Sequence, residues 1–155
     1  MPRISSIELM NRTAQPTLVI RTHTGVENLA RTVGESYGKQ GAYLAELGEL
    51  PAEIPFIAYY NMDMQNLDVE IGMPVAAPLS PRGDMVAGTI AAGLAISCMY
   101  QGPYHDMGPT YAEMEQWLQE QGYQVAGPVY EMYYNDPSFA ENLLLTRIIM
   151  PVRKA

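Results

Sequence analysis

A glutamate stands in the middle of a tyrosine-rich stretch, GPVYEMYYNDP, at residues 127–137. The apolar character of this stretch predicts a half-buried β-strand, in which a charged side chain is unfavourable unless it has a partner or a function. A carboxylate in such a place is poorly solvated, so an arriving cation gains more there than at the exposed surface. Glu131 is therefore the first candidate for binding chemistry. The alternative is a solvated carboxylate near the edge of a sheet.

A second stretch, PFIAYYNMDM at 55–64, has the same YYN ending and carries Ile57 at the position of Glu131. Strand alternation places Tyr59 and Tyr133 on the same faces as Ile57 and Glu131, respectively. Ile57 and Tyr59 would thus occupy, in this stretch, the places that match Glu131 and Tyr133.

The two stretches belong to a longer internal repeat. Three pairs of segments recur in the same order: VIRTHTG with ISCMYQG, AYYN with MYYN, and EIGMPV with RIIMPV. The offset is 77 residues for the first and third pairs and 74 for the second. We therefore expect one domain over 1–155, built from repeat one at 1–77 and repeat two at 82–155. The proline-rich segment at 76–84 connects them.

Each repeat shows the same succession of patterns. A predicted hairpin comes first, IELMNRTAQPTLVIRT with a turn at Gln15-Pro16 and MVAGTIAAGLAISCMY with a turn at Ala92-Gly93. A helix and two more strands follow. The second helix places four large side chains on one face: Tyr111, Met114, Trp117 and Leu118. In the first helix, three glycines predict a kink or break: Gly34, Gly38 and Gly41.

This succession predicts an α+β fold of duplicated hairpin, helix and hairpin units with pseudo-twofold symmetry and a central cleft. In the strand around Glu131, alternate side chains point to opposite faces. We expect Tyr130, Met132 and Tyr134 to lie beneath the helix and Glu131 to face the cleft. The reverse arrangement would bury the carboxylate beneath a helix without an evident partner.

The composition of the chain limits the classes of partner that it can bind. The net charge is −8 and the pI about 4.6, which disfavours a nucleic-acid partner and favours cations. The single Cys98 excludes an intrachain disulfide, while His23 and His105 are too few and too separate for a metal site. No signal peptide or membrane-spanning run is evident, so we expect a cytoplasmic protein. Eleven tyrosines and eleven methionines are typical of adaptable binding surfaces and also of ordinary cores.

Four motifs together resemble a known family: YQGPY at 100–104, a helix carrying WL, GPVYEMYYNDP, and the closing RIIMPV. They are similar to the GyrI-like small-molecule-binding domain, the effector-binding domain of multidrug-sensing bacterial transcription activators, here in a free-standing form. The resemblance implies an aromatic cleft between the two halves and no cofactor. Its glutamate falls on Glu131, which would neutralise a lipophilic cationic or aromatic ligand. The implied lining is Glu131, Tyr133, Tyr59, Ile57, Tyr104 and Trp117.

The resemblance implies three functions. Binding or sequestration of a small organic molecule is the first, without direct contact to nucleic acid, because the chain has no room for a DNA-binding module. Hydrolysis of strained-ring electrophilic toxins is the alternative. Glu131 would then hold or deprotonate a water while Tyr104 or Tyr133 polarises the substrate, with His105 as a further candidate. The third is a protein partner, as in inhibitors of DNA gyrase.

Overall fold

The computed structural model describes residues 3–155. In chain order its elements are β1 (Glu8–Arg12), β2 (Gln15–Thr24), α1 (Val26–Leu47), β3 (Phe56–Tyr59), β4 (Leu67–Pro74), β5 (Val86–Ile90), β6 (Gly93–Gln101), α2 (Gly108–Gln121), β7 (Tyr123–Val125), β8 (Val129–Tyr133) and β9 (Leu145–Lys154). Short 3₁₀ turns lie at Tyr104–Asp106 and Glu141–Leu143. All strand pairs described below are antiparallel, and with the two helices they form the predicted α+β fold.

The chain forms two compact units. One, which we call the continuous unit, is Thr13–Ala92. The other, the composite unit, joins Gly93–Ala155 to the N-terminal segment that ends at Arg12. The repeat boundaries 1–77 and 82–155 describe sequence similarity and remain a prediction.

In the continuous unit the strand order is β3-β4-β2-β5. Helix α1 covers β2 and β4, and Leu18 and Ile20 of β2 pack with Tyr43 and Leu44 of the helix. Burial of these apolar side chains holds the helix on the sheet.

In the composite unit the order is β1-β6-β9-β8, with β7 paired to a further part of β9. Met114 and Leu118 of α2 pack on Cys98 of β6 and Ile148 of β9. This core lies directly beneath α2, so any β8 side chain on the same face as Ile148 also faces the helix.

The pairing of the first strands differs from the prediction. β1 pairs with β6 and β5 pairs with β2, so neither predicted hairpin closes on itself. The later pairs, β3 with β4 and β8 with β9, are adjacent as expected. The alternation of apolar residues identifies a strand and its buried face but not its neighbour, and this explains the error. Gln15 and Gly93, read as turn residues, are the first residues of β2 and β6.

Helix α1 runs without interruption from Val26 to Leu47, so the break predicted from its glycines is wrong, while the kink stays a prediction. Gly34, Gly38 and Gly41 are exposed, and a Cβ at any of them would meet open space. Glycine keeps its backbone N–H, unlike proline, so the hydrogen-bond ladder of the helix continues through it. The helix ends at Gly48, which has a φ of 68°. Neither α1 nor any other helix within residues 3–155 is long and apolar enough to cross a membrane.

We predict that Gly38→Ala stabilises the protein by about 0.5–1 kcal/mol, because alanine loses less conformational entropy in a helix and its Cβ meets no neighbour. Urea unfolding measures this change. Gly48→Ala is the control and should destabilise by about 1 kcal/mol, because a left-handed φ strains any residue with a Cβ. Destabilisation by Gly38→Ala would contradict the open environment described for this position.

Candidate functional site

Glu131 faces helix α2, contrary to the strand-face prediction. Its cross-strand neighbour on β9 is Ile148, which belongs to the core beneath α2, and Val129 of the same strand packs against that core. Tyr130 therefore points to the opposite face, where it is buried beneath the guanidinium of Arg12. The prediction assumed that no partner exists under the helix. The helix itself supplies one.

Two tyrosine hydroxyls donate to the carboxylate of Glu131, one to each oxygen. The Tyr111 hydroxyl lies 2.5 Å from Oε2, and the Tyr133 hydroxyl lies 2.8 Å from Oε1. Tyr111 is in the first turn of α2, and Tyr133 ends β8. We call these three residues the Tyr–Glu–Tyr cluster. It joins helix to strand through hydrogen bonds to a charged group, which are stronger than those between neutral groups.

Residue Glu131 is 9% exposed, and its carboxylate forms none of the ion pairs found among residues 3–155. Burial raises the pKa of Glu131, and the hydrogen bonds from Tyr111 and Tyr133 partly oppose that increase. When ionised, the carboxylate is compensated by two hydroxyl dipoles rather than by a cation. The described residues contain no group of three or more His, Cys, Asp or Glu side chains placed to hold a metal ion.

Tyr104 extends the cluster towards solvent. Its ring meets the ring of Tyr133 edge to face, with centroids 5.4 Å apart, and the residue is 39% exposed. Burial and then the nearby charge of Glu131 raise the pKa of its hydroxyl. The turn before it requires Gly102, since a Cβ there would lie 3.0 Å from the Tyr100 hydroxyl and φ is 144°. That hydroxyl donates to the carbonyl of Pro103, which fixes the start of the turn.

Two buried hydroxyls lie beside the cluster without a hydrogen-bond partner. Thr110 precedes Tyr111 in α2, and Thr146 is the cross-strand neighbour of Tyr133 on β9. Both residues are 0% exposed, and neither Oγ1 has a partner. A buried hydroxyl without a partner is unfavourable, so each retains the capacity to bond a water or a ligand atom.

The structure brings together three of the residues predicted from sequence: Glu131, Tyr133 and Tyr104. Trp117 instead stacks on Tyr123, with ring centroids 6.1 Å apart, and packs against the core beneath α2. His105 is exposed and lies 3.5 Å from Asp106. Ile57 and Tyr59 lie on β3 of the continuous unit, and their approach to Glu131 stays a prediction.

Tyr111 was not predicted to be a partner of Glu131, because the helical spacing of Tyr111 placed it on the apolar face of α2. The repeat offers the missing signal. An offset of 74 residues aligns Tyr111, Glu131 and Tyr133 with Tyr37, Ile57 and Tyr59. The Tyr37 hydroxyl donates to the backbone carbonyl of Phe56, beside the isoleucine that cannot accept a hydrogen bond. A tyrosine in this helical position thus bonds the facing strand in both units.

Comparison with known protein families identifies the family of the chain. The model of the GyrI-like small-molecule-binding domain matches residues 7–153. The chain belongs to this family. Membership makes it a small-molecule-binding domain, in agreement with the resemblance of its motifs. No curated protein matches the sequence.

Solved structures share the fold at low sequence identity. EcmrR in complex with DNA superposes with a TM-score of 0.83 at 19% identity, over 97% of this chain and 58% of that one. A hydrolase from Listeria innocua gives 0.72 at 16% identity, over 99% and 94% of the two chains. SAV2435 bound to tetraphenylphosphonium gives 0.69 at 14% identity, over 96% and 94%. This chain thus spans little more than half of EcmrR.

The buried carboxylate predicts a pH dependence of stability. Because the folded-state pKa of Glu131 is raised above 4.5, its contribution is fully present below that pH and is lost as pH rises through the folded-state pKa. Glu131→Gln removes this titration, so the Tm of the variant should rise relative to that of the wild type as the pH increases from about 4.5 through the folded-state pKa of Glu131. Thermal unfolding across this range measures the difference. Glu120→Gln, an exposed change on α2, is the control, and an identical pH profile for both variants would contradict the prediction.

Proposed function

We propose that this protein binds lipophilic organic cations, with Glu131 as the counter-ion. The proposal depends on the environment of Glu131, a residue that is only 9% exposed. Its carboxylate has no ion pair among the described residues and accepts hydrogen bonds from two tyrosine hydroxyls. A cation brought to such a group meets little competition from water.

Charge supports this ligand class over anions and metals. The net charge of −8 attracts cations towards the protein before contact. The cluster offers one carboxylate rather than the several oxygen ligands that Mg²⁺ or Ca²⁺ prefers. An organic cation suits it better, because one charge and an apolar body match one carboxylate beside aromatic rings. The tetraphenylphosphonium bound by SAV2435 is a cation of this kind on the same fold.

Tyr104 offers the ligand a route to Glu131. It is half-exposed and touches Tyr133 edge to face, so its ring can receive a ligand before the buried carboxylate does. We include Ile57 and Tyr59 as further lining residues, on the basis of their repeat equivalence to Glu131 and Tyr133. We assign Trp117 to helix packing, because its ring is engaged by Tyr123.

The test is a fluorescence-polarisation titration with a lipophilic cationic dye and a neutral dye of similar shape. Glu131→Gln should weaken binding of the cationic dye by about tenfold or more and leave the neutral dye within about twofold, because the lost interaction is with charge. Glu70→Gln is the matched control, since Glu70 is another partly buried strand glutamate whose pKa burial raises. Equal losses for both dyes, or no binding of either, would refute the cation proposal.

Hydrolysis is the second candidate, and the hydrogen-bonded carboxylate favours it. A glutamate with a raised pKa is a suitable general base, and tyrosine hydroxyls can stabilise a developing oxyanion. Glu131 would take a proton from water as the water oxygen attacks a cyclopropane carbon next to the ring carbon that bears the carbonyl, and the bond between these two ring carbons breaks. The broken C–C bond leaves its electron pair on the enolate oxygen, which Tyr133 or Tyr104 would stabilise until protonation. The solved neighbour described as a hydrolase shares the fold.

Turnover is tested with a cyclopropyl ketone in H₂¹⁸O, followed by mass spectrometry. Hydrolysis predicts one ¹⁸O per product, loss of turnover in Glu131→Gln and a smaller loss in Tyr104→Phe. Glu70→Gln should keep wild-type activity. Cation binding without any labelled product would leave the protein a binding protein and exclude this reaction.

A further inference from the structure

Strand β1 (Glu8–Arg12) is the edge strand of the composite unit. Within residues 3–155 it pairs with β6 alone, so its outer side presents backbone N–H and C=O groups without a strand neighbour. Edge strands usually carry a lysine, a proline or a bulge that prevents further pairing. The β1 sequence ELMNR has no lysine, proline or bulge, its only charged residues are Glu8 and Arg12, and Leu9, next to the central Met10, is 43% exposed.

The charges of β1 are arranged symmetrically about Met10. Glu8 lies two residues before it and Arg12 two residues after it, so all three side chains are on one face of the strand. Glu8 is exposed and accepts a hydrogen bond from the Ser6 hydroxyl at 3.2 Å. The strand therefore carries opposite charges at equal distances from its centre.

Arg12 lacks an anionic partner among the described residues. Its guanidinium lies 5.3 Å from the ring centroid of Tyr130, and its buried Nε has no hydrogen-bond partner. No ion pair of the described residues includes it. Burial lowers the pKa of the group, and Tyr130 opposes this shift only in part. A carboxylate supplied from outside the chain would relieve this cost.

We propose that β1 pairs with β1 of a second copy of this chain, antiparallel and centred on Met10. In that register Glu8 of each copy lies opposite Arg12 of the other, and Leu9 lies opposite Asn11. The occupant is a second copy because ELMNR is its own charge complement when reversed. Such a contact is isologous, using the same five residues twice. With so short a strand, the dimer is weak and forms at high protein concentration.

Variants with one introduced cysteine test the register of the β1–β1 pair. Met10→Cys places two introduced thiols opposite each other across the twofold axis, within the Cα separation that a disulfide accepts. Mild oxidation of concentrated protein should then give a covalent dimer on non-reducing gels. Leu9→Cys and Asn11→Cys alone should not, whereas a mixture of these two should form the heterodimer. The native Cys98 should not form a disulfide, because it is buried and the pKa of its thiol is raised to about 11.

Charge reversal tests the pairing of Glu8 with Arg12. In the Met10→Cys background, Glu8→Arg should lower the initial rate of dimer formation by about tenfold, since two attractive pairs become repulsive. Adding Arg12→Glu to that variant exchanges the two charges and should restore the rate. Glu113→Arg, elsewhere on the composite unit, is the control and should leave the rate unchanged.

The outcomes are decisive for the register. Equal cross-linking at positions 9, 10 and 11 would indicate random collision and overturn the proposal. So would a Met10→Cys rate that Glu8→Arg does not change, or a wild-type protein that sedimentation shows to be monomeric at millimolar concentration. Because Glu8 is exposed, its substitution tests the interface without disturbing the packing of Arg12 on Tyr130.

Discussion

The carboxylate of Glu131 is the constraint on which the composite unit depends. A buried charge must be hydrogen-bonded, and here each oxygen has one tyrosine donor, Tyr111 from the helix and Tyr133 from the strand. The charge therefore ties the start of α2 to the end of β8. Anything that neutralises Glu131 weakens that link, because hydrogen bonds to a charged group are stronger than those between neutral groups.

The two units show how one frame accommodates a charged and an uncharged strand. Tyr37 and Tyr111 occupy equivalent helical positions and both bond the facing strand. In the continuous unit the buried polar residue is on the helix, where Gln40 donates to the carbonyl of Ile71. Its equivalent in the composite unit, by the same 74-residue offset, is the fully buried Met114. Each unit thus has a hydrogen-bonded polar side chain between helix and sheet, Gln40 from the helix in one unit and Glu131 from the strand in the other.

Sequence patterns predicted the α+β fold, both helices and the later strand pairs. They did so because periodicity reports burial directly. They failed where the answer depended on a distant partner. The neighbour of β1, the face chosen by Glu131 and the hydroxyl of Tyr111 are all set by residues far along the chain. Trp117 was assigned to the site because it belongs to a motif of the family. In the structure its ring stacks on Tyr123.

The exchange of first strands gives the chain the topology of an insertion. The continuous unit, Thr13–Ala92, contains strands β2 to β5. In the sequence it interrupts the composite unit between β1 and β6. Arg12 and Gly93, the residues on either side of the interruption, are cross-strand partners. A short turn between them would therefore suffice to close β1 and β6 into a hairpin. The chain therefore leaves the composite unit and returns to it through neighbouring residues at one end of a single strand pair.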